Sequence, residues 1–122
     1  MPVEDSRLSG FYKLSVEERR DIVAKLALLS KEDVEALATH GELSEVAADR
    51  MIENVIGTMS LPVGVATNFV IDDRPYIIPF CVEESSIVAA ASNMAKRCLN
   101  SGGFRTNSCL LYTSDAADDE TS

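Results

Sequence analysis

The chain has 122 residues and a formal net charge of −9, with 46% hydrophobic and 25% charged residues. This is the composition of a folded chain with one modest core, not of a disordered one. The acidic balance argues against unspecific nucleic-acid binding, which needs clustered Lys and Arg, and no segment nears the ~20 uninterrupted apolar residues of a membrane span.

The opening MPVEDSRLSG lacks the basic start and apolar centre of a secretion signal. Cys81, Cys98 and Cys109 are an odd number of thiols without metal-ligand spacing, so no metal site is expected. A reducing, cytoplasmic compartment suits them.

Residues 1–57 read as helical. Ser15-Val16-Glu17-Glu18 places a hydroxyl and a carboxylate at the spacing of a capping box, and Ile22, Val23, Leu26 and Leu29 follow at helical intervals. Ser30-Lys31-Glu32-Asp33 opens a second helix with Val34, Leu37 and Ala38 on one face and Gly41 as its stop. A third helix is predicted from about Glu45 to Val55, with Gly57 just beyond.

Residues 61–82 change period. LPVGVATNFVI and YIIPFCV are rich in β-branched residues and flank the turn-like Asp72-Asp73-Arg74-Pro75, which predicts a β-hairpin. Pro62 and Pro79 belong at strand ends or edges. From about Glu84 to Leu99 a long helix is expected, lined by Val88, Ala91, Ala95 and Leu99 on one side. Lys96, Arg97 and Asn100 gather at its far end, where cations complement the helix dipole, and Gly102-Gly103 closes it. The fold class is therefore α+β: N-terminal helices, a hairpin and a long helix.

The last fourteen residues, 109–122, break the style. They hold Asp115, Asp118, Asp119 and Glu120 but no cation. Cys109 through Asp119 looks like a sequencing adapter translated in frame, which makes the tail non-native and the chain a gene fragment; a genuine acidic tail is the alternative.

At Glu53-Asn54-Val55-Ile56-Gly57 and then Leu61-Pro62-Val63-Gly64-Val65-Ala66 the pattern becomes specific. Together with Pro79, Val82-Glu83-Glu84, Ser86 to Ser92, Met94-Ala95-Lys96 and Gly102-Gly103-Phe104, it resembles hydroxymethylglutaryl-CoA (HMG-CoA) reductase, the class II bacterial and archaeal form in particular. The resemblance spans about residues 4 to 105. It implies a reductase interconverting HMG-CoA and mevalonate plus CoA with NADH or NADPH, and a homodimer whose active sites form between subunits. Residues 58–108 would then start the substrate-binding domain. The segment that binds the nicotinamide cofactor, and the family's catalytic lysine, aspartate and late histidine, have no counterpart here. His40 is not that histidine.

Under the resemblance, Glu84 is the catalytic acid. Hydride addition to a carbonyl builds charge on oxygen, and a positioned carboxyl relieves it. Near neutral pH that role needs a carboxyl kept from water, as between the apolar run 77–82 and Ile87-Val88. The competing reading makes Glu83 and Glu84 ordinary first-turn acids of a helix. Ser85 stands where the family has proline and can start the helix in another way. Ser86 is assigned to the hydroxymethylglutaryl group, and Ser92, Asn93 and Lys96 to the CoA-contacting stretch. A backbone-capping serine and a solvated lysine are the plainer readings of Ser86 and Lys96. Glu53, Asn54, Val55, Ile56 and Gly57 match the family's dimerisation motif; by themselves they read as a helix ending at a glycine. A non-catalytic dimerising or CoA-holding module is the alternative function.

Overall fold

The computed structural model describes residues 1–41 and 43–109. All but the first residue of the acidic tail lies outside that range.

Three short helices come first: α1 (Val16–Leu26), α2 (Lys31–Ala38) and α3 (Glu45–Met51). Both halves of the capping box form at α1. Ser15 Oγ accepts from the Glu18 N–H at 3.1 Å, while the Ser15 N–H donates to Glu18 Oε1 at 3.3 Å. Ser30 and Asp33 repeat the arrangement at α2. These reciprocal bonds satisfy amides that a helix start otherwise leaves unpaired.

Both helices end in a left-handed residue. At α2 it is His40, with φ 66°, and the Gly41 N–H reaches back to the Ala36 carbonyl. At α1 it is Leu28, with φ 54°, and the Leu29 N–H returns to Ala24. The pattern is a Schellman closure, in which leucine takes the position that glycine usually holds.

The third helix stops earlier than its sequence pattern suggests. It ends at Met51, Ile52 is extended at φ −141°, and Asn54 is left-handed. Gly57 therefore does not cap it. The reason is scant support: Ala48 is buried, but Val46, Met51 and Ile52 are largely exposed, and a short helix with so small a packed face does not extend into β-branched Ile52, Val55 and Ile56.

The hairpin pairs β1 (Val63–Ile71) with β2 (Arg74–Cys81) in antiparallel register from Val63 opposite Cys81 to Ile71 opposite Arg74. Its loop is Asp72-Asp73 alone, both with positive φ, so Arg74 and Pro75 belong to the strand rather than the turn. Two left-handed residues match the right-handed twist of the strands they join. Pro62 sits just before β1, and Pro79 faces Val65 in a strand that has a free side. A two-stranded sheet tolerates proline there, because no ladder partner misses its N–H.

Both outer edges are partly covered. Residues 1–3 run along β2, with Val3 bonded to Pro75 and Met1 to Ile77. Phe104 lies along β1, bonded to Val70 and Asp72, and its ring stacks on Phe69 at 5.4 Å. Gly103 makes this approach possible. Its φ is 83°, and a Cβ there would overlap the Val70 carbonyl oxygen and stand 2.9 Å from Val70 Cβ.

Helix α4 (Ile87–Cys98) packs on β1. Ala95 is buried, Val88, Ala91 and Leu99 are half-buried, and the core opposite them contains fully buried Ala66 and Ile77. The inward stripe is the expected one. The ends differ: the helix starts at Ile87 instead of Glu84, and the chain tightens into a 3-10 turn from Leu99 to Ser101.

Candidate active site

The junction of β2 and α4 brings the acidic pair to an open groove of about 480 Å³, lined by Pro62, Val63 and Gly64 on one side and Val82 to Ser86, Val88 and Ala89 on the other. Gly64 lies against Val88 here, and a Cβ at that position would meet Val88 Cγ2 at an ordinary contact distance of 3.7 Å.

Glu83 and Glu84 precede the helix and are not in its first turn. This removes the ordinary reading of the pair as helix-starting acids, and with it much of the helix-dipole effect, which fades beyond the terminal turn. The N-cap is Ser86, not Ser85. Ser86 is left-handed at φ 74°, and its side chain caps nothing. A non-glycine residue in that conformation costs about 1 kcal/mol or more. What results is an uncapped helix start, with free amides beside two hydroxyls and a carboxylate. Such a site can offer donors to an oxyanion and a carboxyl to a developing alkoxide.

One expectation is not met within this chain. Glu84 is exposed. The apolar residues 77–82 and Ile87-Val88 do not close over it.

The four assigned binding residues divide between two faces. Asn93 and Lys96 are exposed on the outer side of α4, and Ser86 is exposed at its start. Ser92 is half-buried, and its hydroxyl oxygen accepts from the Thr67 N–H at 3.0 Å. Glu53 to Gly57 lie in an irregular connection between α3 and β1, where Ile56 is fully exposed. They do not join the groove at Glu84 in the residues that line it.

Sequence reasoning missed Asn68. The register slips between Ala66 and Phe69, so Thr67 and Asn68 together face Ile77 in a two-against-one bulge, with Asn68 at φ 69°. Its side-chain amide donates to the Ser92 carbonyl at 3.2 Å, and its backbone N–H to the Ser6 carbonyl at 2.8 Å. Buried Ser6 returns a bond from its hydroxyl to the Phe69 carbonyl. An asparagine inside a β-branched run was the available signal, because strands are poor in Asn and bulges favour residues that accept positive φ.

The fold of this chain is similar to that of solved class II 3-hydroxy-3-methylglutaryl-CoA reductases. One from Streptococcus pneumoniae, described as bound to NADPH in open conformations, superposes with a TM-score of 0.72 at 38% identity, over 80% of this chain and 26% of that one. A second structure of the enzyme from that organism gives 0.73, over 81% and 27%. The sequence agrees: residues 15–112 match the family described as hydroxymethylglutaryl-coenzyme A reductase. The chain belongs to that family. It is 59% identical over 102 residues to 3-hydroxy-3-methylglutaryl-coenzyme A reductase of Archaeoglobus fulgidus, covering 84% of this chain and 23% of the relative. The Candida albicans reductase 1 is 40% identical over 95 residues, or 77% of this chain and 9% of that protein. The chain thus spans about a quarter of the archaeal and streptococcal proteins that it matches. Among the described residues no helix is long and apolar enough to cross a membrane.

Proposed function

We propose that this chain is part of a reductase that interconverts HMG-CoA with mevalonate plus CoA, using NADH or NADPH. Residues 1–57 form its N-terminal helical region, 58–108 open the substrate-binding domain, and 109–122 are a non-native tail. The cytoplasm is the proposed compartment. The observation that supports this reading most is the Glu84 loop: a carboxylate, the Ser86 hydroxyl and an uncapped helix start line one groove.

In this reading Glu84 holds a proton and passes it to the substrate oxygen that gains electron density during reduction. Ser86 donates to the hydroxymethylglutaryl group. Asn93 and Lys96 face the CoA. Lys96 lies nine residues beyond Ile87, roughly 13 Å along the axis at 1.5 Å per residue. That distance is too long for the acyl group and suits a phosphate at the far end of a long ligand. A nicotinamide cofactor, when bound, supplies the hydride; none of the described residues is assigned to it.

A homodimer is part of this reading. Ile52, Ile56 and Met59 around the Glu53–Gly57 motif are largely exposed, and a second subunit would bury them. The isolated chain does not turn over, because one acid without its catalytic partners cannot reproduce the assembled geometry.

The test is NAD(P)H oxidation with HMG-CoA, measured for this chain and for the same gene extended past Phe104. Activity on extension alone is the expected result. Absence of activity from both overturns the proposal.

A further inference from the structure

The bulge in β1 has a consequence for α4. A regular antiparallel ladder would leave the Thr67 and Asn68 amides either paired to β2 or turned to solvent. The two-against-one register instead turns them away from β2, and the Thr67 N–H meets Ser92 Oγ while the Asn68 N–H meets the Ser6 carbonyl. The Asn68 amide adds a bond to the Ser92 carbonyl and a weaker one, at 3.3 Å, to Thr67 Oγ1. Ser92 is therefore held through both its side chain and its backbone, 25 and 24 positions away in sequence from its partners.

The rest of the contact between α4 and β1 lacks such direction. Ala66, Ala91 and Ala95 let the helix come close, but small side chains offer little resistance to sliding or rolling. Hydrogen bonds with narrow angular range do resist it. A helix transmits such a constraint along its length, and Glu84 is joined to the N-terminus of α4 by two residues, Ser85 and Ser86.

We propose that Asn68 and Ser92 form a latch that sets the position and roll of α4 on β1, and thereby the place of Glu84 in the groove. Both are positioning residues that act through α4 without touching the reacting atoms. The inference rests on the reductase reading, and it moves Ser92 from the ligand set to the supporting frame. The Ser92 hydroxyl oxygen already accepts from Thr67, and no buried side-chain polar atom among the described residues lacks a partner.

Three variants separate the possibilities. Ser92→Ala removes the acceptor for Thr67. Asn68→Gly keeps the left-handed backbone and removes only the amide. Ser92→Thr keeps the hydroxyl. In the extended enzyme, Ser92→Ala and Asn68→Gly are each expected to lower kcat about tenfold, as a small misplacement of a catalytic group does. The double variant should be no slower than either single one, KM for the nicotinamide cofactor should not move, and Ser92→Thr should recover most of the rate. In the 122-residue chain, the Thr67 amide should exchange slowly with solvent and lose that protection in both single variants.

A higher KM for HMG-CoA in Ser92→Ala at unchanged kcat, with Asn68→Gly at the parent rate, would make Ser92 a ligand and overturn the latch. Multiplicative losses in the double variant would overturn it too, as would a Thr67 amide that exchanges fast in the parent. An extended parent without activity overturns the reductase reading itself, which is a different result from an active parent whose variants are indifferent.

Discussion

Replacing Gly103 by alanine tests how the end of the described chain is tied to the hairpin. The position has φ 83°, and an added Cβ would overlap the Val70 carbonyl oxygen, which is backbone and cannot swing aside. Gly102 is the natural control. It is also left-handed, at φ 88°, but its nearest neighbour would be the flexible end of Arg105 at 3.8 Å. Gly64 controls for neither effect, with only Val88 methyls at 3.7 and 3.9 Å. A left-handed alanine costs about 1–2 kcal/mol. At Gly103 the clash also displaces Phe104, whose N–H bonds Val70, whose carbonyl accepts from Asp72, and whose ring stacks on Phe69. Two hydrogen bonds at about 1 kcal/mol each and an aromatic pair at about 1 kcal/mol bring the loss to roughly 4–5 kcal/mol. Since 1 kcal/mol shifts the midpoint of a domain of intermediate size by about 4 °C, Gly102→Ala should lower Tm by about 4–8 °C and Gly103→Ala by about 16–20 °C. Gly64→Ala should be near neutral. Thermal unfolding followed by circular dichroism measures all three. Equal losses at Gly102 and Gly103 would refute the steric argument and leave only a conformational one.

Leu28 is 89% exposed and left-handed at the α1 closure, so Leu28→Gly should stabilise the chain by about 0.5–1 kcal/mol in urea unfolding; destabilisation would show that its side chain has a partner. The hairpin loop predicts a pH effect. Hydrogen bonds from Thr106 hold the Asp72 carboxyl below its ordinary value of 3.8, and the Arg105 guanidinium does the same for Asp73. With folded values lowered, their contribution is fully present above the unfolded carboxylate range and disappears as pH falls through the lowered values. The Thr106 amide shift, followed by NMR, should therefore titrate with a midpoint under 3.8; a midpoint above it counts against the contact. In the extended enzyme, Glu84→Gln should lower kcat by about 10²–10⁴ while leaving the fold intact, and full turnover by that variant would remove Glu84 from the chemistry.

Much of this architecture is written locally. Ser15 with Glu18 and Ser30 with Asp33 define helix starts through bonds three residues apart. The two runs rich in β-branched residues around Asp72-Asp73 define a hairpin, and Val88, Ala91, Ala95 and Leu99 define the face of α4 that turns inward. Family membership was legible for the same reason, since its motifs are short continuous strings. Helix ends were less so. Met51 ends α3 and Ile87 starts α4 because of what those segments fail to pack against or cap, which is not a local property.

What the amino-acid order determined alone was which segments bend, coil or extend, and where an acid falls between hairpin and helix. Only the tertiary structure decided that Glu84 stands in the open, that Ser92 faces the sheet, and that Asn68 holds it there. The physical reason is range: capping and periodicity act over three or four residues, whereas burial and the bulge latch depend on groups some twenty-five positions apart that meet only when α4 lies on β1.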